Sequence, residues 1–161
     1  MEVTKFIEEY SSAKSKMAFL KKHCVNTYIP YLIKAEDCAK LISSSMYTKT
    51  KEGNEFYNPN RVLYDFLFSI RLIQRYTDID IEDPFKAYDE LRSHGLMSEI
   101  EAVIPSDEVV EYTRIAQGYM EDARERENNV AQYIKNLLLP ADTEWIKQLV
   151  ETMVKDDGRT K

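Results

Sequence analysis

Apolar residues recur along most of this chain at steps of three and four, the period of a helix with one buried stripe. The first such run is Val3, Phe6, Ile7, Tyr10, Ala13, Met17 and Leu20. Pro30 lacks a backbone donor but suits a first helical turn, so "NTYI" reads as a connector and "PYLIKAEDCAKLISSS" as a helix. The apolar face predicted for that helix is Tyr31, Leu32, Ala35, Cys38, Ala39, Leu41 and Ile42. The period then changes. In residues 46–57, "MYTKTKEGNEFY", β-branched and aromatic residues flank Gly53 and Asn54, which tolerate positive φ, and a small hairpin is predicted.

"NPN" caps and starts the next helix, about 59–76. Its residues Val62, Leu63, Tyr64, Phe66, Leu67, Phe68, Ile70, Leu72 and Ile73 are apolar on nearly every side, as in a helix that runs through the middle of a bundle. Asp65, Arg71 and Arg75 are expected to mark its narrow polar edge. "TDIDIEDPF" follows as a loop with helix-capping acids. A short helix closes at Gly95, which suits a left-handed cap.

From Ser106, steps of three and four run through Val109, Tyr112, Ala116, Tyr119, Ala123, Arg126, Val130, Tyr133 and Leu137. They predict a long helix, about 106–138, with Ile115, Met120 and Ile134 widening the stripe. Such a seam serves either to pack on its own domain or to join two copies. A last helix carries Trp145, Leu149, Val150 and Met153 inward, and "DDGRTK" frays. The fold expected is all-α: a compact multi-helix bundle around the central apolar helix and the long helix, with one hairpin. One domain spans 1–155 and a tail 156–161. Only 4 glycines and 5 prolines punctuate the 161 residues, too few for the many tight turns of a sandwich or barrel.

Charge refines this picture. The formal net charge is −6, which disfavours non-specific binding to nucleic acid. A mildly basic first third sits beside an acidic remainder. Lys14, Lys16, Lys21 and Lys22, with His23, gather near the end of the first helical run. There they either balance the partial negative charge of helix carbonyls or form a patch for phosphate or acidic groups. The acidic opening residues do not fit a signal peptide, and no apolar run reaches the ~18 residues of a membrane span, so a cytoplasmic protein is expected. Cys24 and Cys38, with no CxxC pair, are expected as thiols.

The search for chemistry is mostly negative. Asp78, Asp80, Glu82 and Asp83 lack the central glycine and distal glutamate of a calcium loop. No Glu-x-x-His pairs suggest a di-iron centre, and the His and Cys residues lack zinc spacing. No nucleophile elbow or clustered glycines accompany a candidate Cys/His pair. No catalytic, cofactor or metal residues are therefore assigned, and a non-enzymatic protein is expected. Two surface candidates remain. Tyr47, Phe56 and Tyr57 on the hairpin either fold back onto the bundle or form an exposed patch. Glu121, Asp122, Glu125 and Glu127, interleaved with Arg124 and Arg126, form either a solvated face or a dock for a basic partner. Asp122 and Arg126 have the spacing of a favourable helical pair.

"FIEEY", "KKHCVNTYIPY", "NPNR", "YTDIDI", "YDEL…GL" and "MEDARERENNVAQYI" together span roughly residues 6–135. In this combination the chain resembles small uncharacterised proteins of Firmicutes phages and prophages. The resemblance implies a phage accessory protein and supplies no catalytic residues. The expected function is protein–protein binding with a host or phage protein, with inhibition of a host or defence protein through the acidic face. The alternatives are a virion morphogenesis or tail-assembly factor, and a nucleic-acid binder through the basic N-terminal region.

Overall fold

A computed structural model describes residues 1–49, 51 and 55–138 of the chain. Its helices are α1 (Val3–Ser12), α2 (Lys16–His23), α3 (Tyr31–Met46), α4 (Arg61–Tyr76), α5 (Pro84–Ser93), α6 (Leu96–Glu101) and α7 (Ser106–Leu138). The two strands β1 (Tyr47–Lys49) and β2 (Glu55–Tyr57) pair antiparallel, with Tyr47 opposite Tyr57. The fold is thus the all-α architecture with one hairpin that the periodicity predicts. The turn with Gly53 and Asn54, the last predicted helix with Trp145, and the tail 156–161 lie outside the described residues. Contacts divide the chain after Ala123 into two units. Residues 1–123 form the multi-helix bundle; of the second unit the described part is the helix up to Leu138.

Local chemistry sets the element ends. The first apolar run is two helices rather than one. Ser15 caps α2 by accepting from the Ala18 amide at 3.3 Å, while Lys16 donates to the Ser11 carbonyl at 2.8 Å and closes α1. Asn60 caps α4 through the Leu63 amide at 2.9 Å. Asp83 caps α5 through two amides, with Pro84 in the first turn. Gly95, at φ 69°, makes the left-handed joint between α5 and α6.

Two apolar clusters fill the bundle. One gathers Val3, Phe6, Ile7 and Leu20 with Ile79, Leu91, Leu96 and Ile100. The other gathers Cys38, Ile42 and Met46 with Tyr112, Ile115 and Ala116. α4 feeds both, giving Ile70 and Ile73 to the first and Tyr64, Leu72 and Tyr76 to the second. A fully buried isoleucine such as Ile73 contributes on the order of 1.5–3 kcal/mol relative to exposure.

The central helix departs from expectation in its first half. Its second half is buried as predicted, but Val62 is 81% exposed and Leu63, Phe66, Leu67 and Phe68 are half-buried. Val62, Leu63 and Phe66 border an open groove shared with α5. Arg71 and Arg75, expected on the narrow polar edge, are partly exposed and pair with Asp37 of α3.

Candidate functional site

The densest chemistry lies where α3, α4 and α7 meet. On α3, residues 34, 38, 41 and 45 fall on one helical stripe, and that stripe faces inward. It carries Lys34 and, beside it, Asp37 into the interior. The predicted apolar face is corrected accordingly: Tyr31, Leu32 and Ala39 point outward. Glu108 lies on the α7 stripe with Tyr112 and Ile115 and is buried too.

Lys34 is 0% exposed, and its ammonium sits 2.9 Å from Glu108 Oε1 and in contact with Glu111. Glu108 also accepts from the Tyr76 hydroxyl at 2.6 Å and the Ile29 amide at 2.8 Å. Asp37 receives a bidentate Arg75 fork at 2.7 and 2.9 Å and the Tyr112 hydroxyl at 2.9 Å. Arg71 adds charge 3.7 Å from Asp37. Three cations thus face three carboxylates: Lys34, Asp37 and Glu108 are buried, and the partly exposed Glu111, Arg71 and Arg75 balance them.

The acid–base properties follow from those contacts. Burial alone would raise the pKa of Asp37, but hydrogen bonds from Arg75 and Tyr112 and the charge of Arg71 outweigh it and hold the carboxyl below its ordinary range. Burial is likewise overcome at Glu108 by Tyr76, Lys34 and the Ile29 amide. Lys34 is held above its ordinary value because its hydrogen bonds to Glu111 and Glu108 exceed the cost of burial. Burial and hydrogen bonds to carboxylates push Tyr76 and Tyr112 far upward. Cys38 donates weakly to the Tyr112 carbonyl, and burial, with the Asp37 charge beside it, pushes its thiol up to about 12. These are groups held in one protonation state and spent on one another. Open surface grooves beside Val62, Gly118 and Asp80 are lined by other residues.

A second buried polar contact involves His23, which the sequence grouped with the basic surface. Its ring packs 4.4 Å from that of Phe19, and its Nδ1 lies 2.9 and 3.0 Å from the two Asp78 oxygens. The carboxylate can only accept, so Nδ1 carries the proton. Nε2 is buried without a partner. Of the acids in the "TDIDIEDPF" loop, Asp78 orients this ring and Asp83 caps α5. Among the described residues, no three His, Cys, Asp or Glu side chains are arranged to hold a metal ion.

The surface candidates separate by position. Tyr47 and Tyr57 pack edge to face at 5.8 Å and lie against the second cluster, whereas Phe56 points outward. Lys14, Lys21 and Lys22 are exposed, while Lys16 is committed to the end of α1. Glu121, Asp122, Glu125 and Glu127 are all exposed on α7. The 126 position, which breaks the predicted seam, is exposed as well, and no ion pair closes between Asp122 and Arg126 among the described residues. Tyr119, on the seam, is also exposed.

Sequence reading missed Lys34, Asp37 and Glu108 as interior residues, and the pairing of Arg71 and Arg75 with Asp37. The available signal was their register: Lys34 precedes Cys38 by four, and Glu108 precedes Tyr112 by four. No helix among the described residues is long and apolar enough to cross a membrane. Searches find no family model, no curated protein and no solved structure that matches the chain.

Proposed function

We propose that this protein works by binding another protein rather than by turning over a substrate, and that α7 offers the contact. The carrying observation is the exposure of α7 from Arg124 to Asn129, six consecutive residues open to solvent on every side of the helix. Among the described residues this stretch of the helix is polar and exposed on every side, a surface that suits a partner. Glu121 and Asp122 precede this stretch and Glu125 and Glu127 lie within it, so acids outnumber the two arginines. The partner is a protein with a basic surface. The buried cluster supports the same reading, because Lys34, Asp37 and Glu108 are buried and engaged with partners from neighbouring helices.

The resemblance to small phage and prophage proteins sets the context: a phage-encoded accessory protein that occupies a basic surface of a host or defence protein and inhibits it. The test is co-purification from a bacterial host, followed by a salt series and charge reversal. The expected result is a stable complex with a basic protein that dissociates as salt rises and is lost in the Glu121→Lys/Glu125→Lys variant. A complex that ignores both salt and the reversal overturns this reading. Association with virion proteins alone would instead assign an assembly role. A nucleic-acid mobility shift abolished by Lys21→Gln/Lys22→Gln would assign the basic region.

A further inference from the structure

The first half of α4 and the adjoining face of α5 border an open groove of about 570 Å³. Its apolar lining includes Val62, Phe66, Phe85 and Tyr88. Phe66 and Phe85 stack at 4.7 Å with 14° between planes, and Tyr88 meets Phe66 edge-on at 5.0 Å. Stacking of this kind fixes the floor in shape. Val62 and Phe85 nevertheless remain 81% and 65% exposed. Large apolar side chains gathered in a concavity, on a helix whose sequence carries enough apolar surface to be covered all round, mark a site for another molecule.

Charge at the rim selects that molecule. Asp65 and Asp89 both line the groove. The Arg92 guanidinium also lines it and keeps its charge while donating to the Tyr88 hydroxyl at 3.3 Å, so among the described residues the lining sets two carboxylates against one cation. Arg61 reaches Asp65 only at 4.0 Å in an exposed pair, which holds it weakly. Asp89 has no ion-pair partner among the described residues. An apolar floor with two available carboxylates fits apolar anchors flanked by lysine or arginine.

We infer that this groove is a second docking site, for an amphipathic basic peptide segment of a partner protein. The site is separate from the acidic stretch of α7. Apolar anchors cover Val62 and Phe85, and the cations of the segment meet Asp65 and Asp89.

The experiment titrates the isotope-labelled full chain with a short synthetic leucine–lysine helix, and with the leucine–glutamate helix of the same pattern. The expected result is shifts centred on Val62, Phe66, Phe85 and Tyr88, with binding at least tenfold weaker for the glutamate peptide. Val62→Ala/Phe85→Ala weakens the lysine peptide at least tenfold, and Asp65→Asn/Asp89→Asn weakens it severalfold. All four side chains are exposed, so these variants keep the fold, which an unchanged melting curve verifies. Shifts confined to α7, equal binding of the two peptides, or no shift at millimolar peptide overturn the inference. So does a concentration-dependent dimer of the free chain that Val62→Ala/Phe85→Ala abolishes, since the occupant would then be a second copy.

Discussion

Lys34 has no contact with water, and its charge is tolerable only because Glu108 and Glu111 approach it from α7. Removing one member of such a set leaves the others desolvated and unbalanced, which costs more than the set contributed when complete. Lys34→Met should therefore destabilise the protein by about 3–5 kcal/mol, read from urea denaturation. Replacing Lys34 and Glu108 together by apolar residues of similar volume should recover part of that loss. None of this was visible in composition, because a lysine that closes a core has the same side chain as one that solubilises a surface. Register distinguishes them. Lys34 and Asp37 sit with Cys38, Leu41 and Ile42 on the inward stripe of α3, while Leu32 faces solvent. An apolar residue on the outside and a lysine on the inside reverse the rule on which stripe assignment depends.

At the level of elements the period is a better guide, since it reports backbone geometry rather than the fate of single side chains. α4, α7 and the hairpin fall where alternation predicts them. The break between α1 and α2 was hidden because Ala13 and Met17 keep helical spacing across it, and only the Ser15 cap and the Lys16 hydrogen bonds reveal the joint. One glycine in α7 remains conspicuous. Gly118 lies inside the helix, and a Cβ placed there would meet nothing within 4 Å. Glycine in a helix interior costs roughly 0.5–1 kcal/mol relative to alanine, through the freedom it surrenders on folding. Gly118→Ala should thus raise stability by about that amount, measured as a higher denaturation midpoint with an unchanged slope. The open concavity bordered by Gly118, Tyr31 and Tyr119 would be narrowed by the new methyl group.

For the molecule as a whole, the buried charges set how stability responds to pH. Asp37 and Glu108 have folded pKa values depressed below those of the unfolded chain. Their contribution is complete above the unfolded carboxylate range of about 4 and is lost as pH falls through the folded values. Lys34 is raised, so its contribution is complete below the unfolded lysine value of about 10.4 and is lost as pH rises past the folded one. Stability measured by denaturant midpoint should form a plateau between these limits and fall on both sides. Asp37→Asn should lower the plateau and flatten its acid limb.

α4 belongs to both apolar clusters at once, with Ile70 and Ile73 turned one way and Leu72 and Tyr76 the other. A helix used as a party wall cannot lose the room on one side and stand for the room on the other. Within residues 1–123 the two clusters should consequently melt in one transition, so that a core substitution in either lowers the melting point of both.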